Sequence, residues 1–432
     1  MRASSRPKVT TSSRNRCEPC IAAARPTGSG AYRYDVRVTA SRPTPARDRT
    51  TELIHHPYRP PPGFDAPAVG VHKASTVFFP DVRALRARDW RHKSGYTYGL
   101  HGTPTTFTLE ERIAALEGGR QTLLVPSGLA AIALVDQALL QHGDEVLLPA
   151  NVYGPSREFA RHELARWGIG YRLYDPLDAA GFEALIGPRT RLAWLEAAGS
   201  VTMEFPDLAG LVAAARRHGV TTALDDTWGA GIALAPFDLG IDIAMQALTK
   251  YPSGGGDVLM GSVTTVDESL HERLKLSHMR LGLGVGANDA ELILRSLPTL
   301  ALRYHAQDAA ARELADWLAT RPEIARVLHP ARPDASGHAH WRLCCSAAAG
   351  LFSVLFDARH PPARVDAFVD ALRLFRLGYS WAGPVSLAVP YDLGALRDPA
   401  PYPGTLVRFS IGFEAVADLR ADLEQALSAL GG

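Results

Sequence analysis

Cysteine is scarce: the chain has four in 432 residues, as Cys17/Cys20 and Cys344/Cys345. Two close pairs make no disulfide framework, which excludes a cross-linked secreted scaffold and makes a reducing cytoplasm the expectation. Cys17 and Cys20 form a lone CxxC without a second pair at ligand spacing, so no metal is expected. Long apolar runs are missing too. No stretch approaches the roughly 18 uninterrupted apolar residues that a membrane span needs, and no apolar h-region marks a secretory leader. Net charge is only +1, which gives the chain as a whole no pull toward nucleic acid or an anionic bilayer.

That near-neutral total hides an imbalance. Residues 1–50 carry 11 Lys+Arg against 3 Asp+Glu, while the remainder carries 35 against 42. Residues 1–48 are rich in Arg, Ser, Thr and Pro with no apolar periodicity, and read as a disordered basic leader. An extended, proline-punctuated arm follows over 49–106, with "HHPYRPPPGF" and "KSGYTYGLHGTPTT" but few signs of regular structure. A segment of this kind commonly docks on something or carries function.

The first clear helix is "TLEERIAALEGG", where Thr108 and Glu111 form a capping-box pattern and Gly118-Gly119 close it. Apolar strands and amphipathic helices then alternate: "QTLLVP", "DEVLLPA", "GYRLYD", "TRLAWLEA", "VTTALDD" and "IDIAMQALTK" are the strands. This order predicts an α/β fold with a mostly parallel sheet covered on both faces. Residues 107–304 are assigned to this large domain and 305–432 to a smaller α/β domain. No internal repeat is visible.

In an open parallel sheet, ligands bind beyond the carboxyl ends of the strands. Three features fall there. "PSGLAAIA" places Ser127 and Gly128 at a strand-to-helix turn suited to an anion such as phosphate. "TTALDDTWGAG" ends a strand in Asp225 and Asp226, and "ALTKYPSGGGD" ends another in Thr249 and Lys250. A lysine between an apolar strand and bare glycines is either snorkelling to solvent or held for covalent chemistry. A phosphate cradle, a carboxylate and a lysine on one sheet edge match pyridoxal 5'-phosphate (PLP), which needs an amine for its aldehyde and an acid for its ring nitrogen.

From about Thr51 onward the chain resembles the PLP-dependent Cys/Met metabolism family. The matching stretches include "KASTVFFPD", "YGLHGTPTTFTLE", "GSVTMEFPD", "DDTWGAG", "LTKY", "YSWAGPVSL" and "GTLVRFSIG". The resemblance implies an aspartate-aminotransferase-like fold and a homo-oligomer, expected as a tetramer, a dimer of dimers with shared active sites. It also implies roles for individual residues. Lys250 would be the Schiff-base lysine and base, Asp225 the partner of the pyridine nitrogen, and Tyr153 the ring stacked on the cofactor. Gly128, Leu129 and Thr249 would hold the phosphate, joined by Tyr98 from the neighbouring subunit. Arg408 would clamp the substrate carboxylate, helped by Ser380 and Trp381. Alternation in "TLVRFSIGF" sets Arg408 and Ser410 opposite Val407, Phe409, Ile411 and Phe413, a pattern that a solvated edge arginine would share.

Some positions depart from the family. Leu100 stands where many members have a phosphate-binding arginine, with His101 or the basic "RDWRHK" as replacements, and Ala247 stands where a serine is common. A tyrosine that some members carry near Met279 is absent. The "GSVTME" and "YSWAG" blocks are similar to the β-lyase branch, which implies β-elimination of L-cystathionine, with cysteine or cystine as side substrates. γ-Elimination or γ-replacement by the same lysine, or a PLP-binding regulator without turnover, are the alternatives.

Overall fold

The computed structural model describes residues 48–431 apart from Arg59, Pro61 and Asp398. The leader apart from Asp48, with its Cys17 and Cys20, lies outside the described residues. Seven strands form the first sheet: β1 Gln121–Val125, β2 Glu145–Pro149, β3 Gly170–Tyr174, β4 Thr190–Glu196, β5 Thr221–Asp225, β6 Ile243–Gln246 and β7 Gly261–Thr265. Their spatial order is β1-β7-β6-β5-β4-β2-β3. Strands β3, β2, β4, β5 and β6 pair in parallel, while β7 runs antiparallel to both β6 and β1.

The reversal at β7 positions the chemistry. Parallel neighbours need a long crossover, but an antiparallel partner can be reached through a loop. The chain leaving β6 therefore stays at that strand's carboxyl end, and residues 247–260, with Lys250, form the loop there.

Period-2 alternation divides the strands between two cores. Leu124, Leu147, Ala193, Leu195 and Leu224 face one side, where Leu109, Ile113, Phe182 and Leu211 of the covering helices meet them. Leu123, Val125, Val146, Leu148, Trp194 and Ile243 face the other, against Ala131, Ile132, Val135 and Leu274. Each such large side chain contributes about 1.5–3 kcal/mol on full burial.

The helix expected from Thr108 begins earlier, at Pro104, and ends at Glu117. Thr103 is its N-cap and shares reciprocal bonds with Thr106: Thr106 N donates to Thr103 Oγ1 at 3.3 Å, and Thr103 N donates to Thr106 Oγ1 at 2.8 Å. Proline at the first helical position costs no hydrogen bond and brings the required φ. Thr108 lies inside, donating to the Pro104 carbonyl at 2.7 Å.

A second sheet takes the order β10-β11-β12-β9-β8, from β8 Ile324–Leu328, β9 Leu351–Phe356, β10 Arg376–Leu377, β11 Leu387–Tyr391 and β12 Leu406–Ser410. Phe352, Val354, Val407 and Phe409 form its core with Phe368, Leu419 and Leu423. The helix Leu300–Leu318 serves both cores. Leu300, Ala301 and Tyr304 lie in the first body, and Ala311, Leu314 and Leu318 lie in the second. Phe413, which strand alternation sets with Val407 and Phe409, is 42% exposed, because β12 ends three residues before it.

Candidate active site

Four strand ends converge with one end of the second sheet. After β1, Ser127 caps the helix Gly128–Leu139, its hydroxyl accepting from Ala130 N at 3.1 Å. The first amides of a helix have no intrahelical acceptor, so Gly128 and Leu129 present free donors at the dipole's positive end. A Cβ on Gly128 would lie 2.7 Å from the Ala247 Cβ and 3.3 Å from its Cα. Glycine is thus demanded by the close approach of the β6 turn. Gly128→Val should weaken PLP binding by about tenfold or more, roughly 1.4 kcal/mol, as read by spectral titration; undiminished affinity would remove Gly128 from the cradle.

Strand β5 delivers Asp225. Its Oδ1 accepts from Thr227 N at 3.0 Å and from Thr227 Oγ1 at 2.5 Å. The same Thr227 hydroxyl accepts from Ala247 N at 2.9 Å, tying the carboxylate to the lysine loop. The adjoining Asp226 serves the backbone, its Oδ2 accepting from Gly231 N at 3.1 Å. Glu196 ends β4 in register with Asp225, and its Oε2 accepts from Tyr153 N at 2.8 Å. Burial first, and then the Asp225 charge, push the Glu196 carboxyl up to about 8. Burial also raises Asp225, opposed by the Thr227 hydrogen bonds and the Lys250 charge. Both carboxyls accept hydrogen bonds, but only Asp225 also has a cation, Lys250, acting on it, so Asp225 is the partner that keeps the charge. Tyr153 is 42% exposed, leaving its ring open to the cleft.

Lys250 Nζ donates to Ser380 Oγ at 2.6 Å and lies 5.5 Å from the Trp381 ring centroid. Trp381 is held in turn edge-on to Tyr251, at 5.6 Å between centroids. Burial draws the Lys250 amine down to about 8, helped by the Arg408 charge and opposed by Asp225. The glycines after it have a structural cause: Gly254 has φ +64, and a Cβ there would lie 2.0 Å from Arg303 Nη1. That guanidinium donates to the Tyr251 carbonyl at 2.8 Å, clamping the loop from below.

Ser380 has φ +94 and Ala382 φ +64, left-handed conformations that cost a non-glycine residue about 1–3 kcal/mol each. The strained turn lets Ser380 meet two cations, its hydroxyl facing Lys250 and its carbonyl accepting from Arg408 Nη2 at 3.2 Å. Arg408 lies across β12 from the buried Val407 and Phe409, with its Cζ 5.4 Å from the Tyr391 centroid. Its Nε is buried with no partner among the described residues. The solvated-edge alternative does not describe this side chain.

The structure therefore gathers Lys250, Asp225, Tyr153, Gly128, Leu129, Ser380, Trp381 and Arg408 in one cleft. Thr249 sits beside it, but its hydroxyl donates to the Met260 carbonyl at 3.2 Å and accepts from Met260 N at 3.1 Å. Tyr98 is elsewhere: it bridges Thr76 and lies edge-on to His101 at 6.2 Å. His101 stacks on Trp90 at 5.1 Å, and burial followed by the Lys275 charge lowers its pKa, favouring the neutral ring. Lys93, from "RDWRHK", is paired with Glu110 at 2.6 Å. Glu196, Thr227 and Tyr391 complete the site without having been singled out in the sequence. Glu196 carried a signal, as the last residue of an apolar strand.

By fold and site, this is an α/β enzyme built to hold an aldehyde cofactor. Among comparisons with known proteins, a sequence profile described as Cys/Met metabolism PLP-dependent enzyme matches residues 50–428. A Rhizobium johnstonii protein provisionally named cystathionine beta-lyase is 43% identical over 371 residues, 85% of this chain and 92% of its own. The cystathionine beta-lyase of Bordetella avium is 38% identical over 385 residues, 87% of this chain and 96% of its own. The crystal structure of cystathionine gamma-lyase from Lactobacillus plantarum, complexed with L-serine, matches with a TM-score of 0.82 at 26% identity, covering 89% of this chain and 100% of that one. The chain belongs to the Cys/Met metabolism PLP-dependent enzyme family, whose cofactor is PLP. The cleft fits that group: helix-start donors for a phosphate, a glycine where a Cβ would collide, a lysine at the end of β6, and a carboxylate on the adjacent strand.

Proposed function

We propose that the protein is a cystathionine β-lyase, cleaving L-cystathionine to L-homocysteine, pyruvate and ammonia. The observation that carries this reading is the Lys250–Ser380–Arg408 chain, which sets an amine and a carboxylate clamp on either side of one serine. The clamp is a guanidinium with spare donors, suited to a bidentate carboxylate. Arg408 holds the α-carboxylate, Lys250 removes the Cα proton, and Ser380 fixes the distance between them. Asp225, kept ionised, would hold the cofactor's ring nitrogen protonated, and Tyr153 would cover the ring. PLP, when bound, supplies the ring that takes up the electrons of the broken Cα–H bond. Breaking the Cβ–S bond then forms a Cα=Cβ bond, and Lys250 returns its proton to the departing thiolate. Water converts the released 2-aminoacrylate to pyruvate and ammonia.

The two named β-lyases at 38–43% identity support β- over γ-cleavage. The fold match to a γ-lyase favours the second reading, since that chemistry uses the same architecture. Product identity decides: the purified holoenzyme with L-cystathionine should give pyruvate as its keto acid. Predominant 2-oxobutyrate would assign it to γ-elimination, and bound PLP without turnover would make it a regulator.

The arm over 49–106 is part of the same proposal. Phe78 is 92% exposed and Tyr98 48% exposed, apolar surface suited to a second copy. In a cytoplasmic homotetramer, each arm would bring Tyr98 to the phosphate of the neighbouring cofactor.

A further inference from the structure

The lyase chemistry makes no use of the cysteines. Cys344 is the last residue of the helix His338–Cys344, and Cys345 follows as its cap with φ −115 and ψ 141. Both are free thiols and both are half-buried. They lie between the exposed Leu343 and Ser346, so small solutes can approach them.

The two thiols form a donor relay. Cys344 Sγ donates to the His340 carbonyl at 3.1 Å, and the Cys345 thiol donates to the Cys344 sulfur. That second bond lowers the Cys344 thiol below its ordinary value, against burial and the nearby Asp207 charge. On Cys345 the same bond acts upward, joined by burial, the Cys344 charge and Asp226. The pair is therefore unequal: Cys344 yields the thiolate and Cys345 keeps its proton. An accessible thiol of lowered pKa with a second thiol at hand is the arrangement that redox-sensing cysteines share.

The backbone around the pair is pinned. Cys345 N donates to the Trp341 carbonyl and Ser346 N to the Ala233 carbonyl, each at 2.9 Å. Ser346 Oγ donates to the Ile232 carbonyl at 3.1 Å, and Trp341 Nε1 to the Ala347 carbonyl at 3.0 Å. Cα atoms joined by a trans peptide are about 3.8 Å apart, inside the roughly 4.4 Å lower bound of ordinary disulfides. A bond between these sulfurs has to bend a backbone that its neighbours hold, and a strained disulfide is easily reduced.

We infer that Cys344 and Cys345 are a reversible oxidation site, a vicinal dithiol that hydrogen peroxide closes and a monothiol such as glutathione reopens. The Cys344 thiolate attacks one peroxide oxygen and the O–O bond breaks. With one proton taken up, water leaves and Cys344 remains as a sulfenic acid. The Cys345 sulfur then attacks the Cys344 sulfur, and its proton leaves with the hydroxide as a second water. Two thiols lose two electrons and the peroxide gains them. Two glutathione thiols reverse the closure and become glutathione disulfide. None of this depends on which carbon–sulfur bond the enzyme cleaves.

The test uses full-length holoenzyme carrying Cys17→Ser and Cys20→Ser, which leaves Cys344 and Cys345 as its cysteines. Free thiols are counted by mass spectrometry after unfolding in iodoacetamide. Both cysteines should label before peroxide and neither after it, with the mass falling by two hydrogens, and glutathione should return both labels. Cys345→Ser lacks the resolving thiol but keeps a hydroxyl donor for Cys344, and should accumulate the sulfenic acid, caught by dimedone. Cys344→Ser should react with peroxide at least about tenfold more slowly than Cys345→Ser. A pair that stays labelled, passes to sulfinic acid without closing, bridges two chains, or resists glutathione once closed would overturn the site. Equal peroxide reactivity in the two serine variants would overturn the assigned order of attack.

Discussion

Lys250→Ala protein should fold normally, lose the borohydride-fixable link to PLP, and turn over L-cystathionine at least about a thousandfold more slowly. Loss of general-base catalysis alone costs about 10²–10⁴-fold, and this side chain is assigned the covalent attachment as well. The loop would keep its backbone frame, because Lys250 N donates to the Ala247 carbonyl and Gly254 N to the Lys250 carbonyl in either protein. Titration supports a folded variant. The amine is lowered from 10.5 to about 8, so the folded state disfavours the ammonium. That penalty is full below pH 8 and fades as pH rises from 8 to 10.5. Alanine removes it, and the thermal midpoint at pH 7 should not fall on this account. In the parent, capture of the PLP aldehyde needs the free amine. Its rate should rise about tenfold per pH unit below 8 and level off above. Attachment of PLP to the alanine protein at undiminished turnover would remove Lys250 from the mechanism.

What the sequence disclosed followed from local rules. Lys250 stood out because an apolar strand met three glycines, and Asp225 and Gly128 because each ended or followed a strand. Those features depend on residues close in the chain. The Lys250–Ser380 bond joins positions 130 residues apart, and the Glu196–Asp225 pair exists only once β4 and β5 align. Neither periodicity nor composition reports a register between two strands. The helix start was displaced from Thr108 to Thr103 because two overlapping capping patterns were present, and Pro104 favoured the earlier one. Phe413 continued an alternation that the backbone had already ended at Ser410. Thr227 was hidden by its commonness; only its double hold on Asp225 and Ala247 reveals its place.

Arg408→Gln should raise KM for amino-acid substrates by about a hundredfold or more, and Arg408→Lys should recover only part of the loss. Truncating one member of a buried, hydrogen-bonded charge pair costs about 2–5 kcal/mol, or about 30- to 3,000-fold. The site meets the conditions for the upper part of that range. The guanidinium lies over the Tyr391 ring, Cζ 5.4 Å from its centroid, and its Nε is buried with no partner among the described residues. Lysine restores the charge but not the planar fork that matches a carboxylate. A second consequence separates this role from mere support of the fold. After burial, the Arg408 charge is the next cause lowering the Lys250 amine. Without it the amine's pKa rises, so in Arg408→Gln the acid limb of aldehyde capture should move to higher pH. Arg408→Lys, which keeps a cation there, should leave that limb closer to the parent. A hundredfold KM effect with an unmoved limb would place Arg408 at the carboxylate but outside the field of Lys250. An unchanged KM would remove it from the substrate altogether.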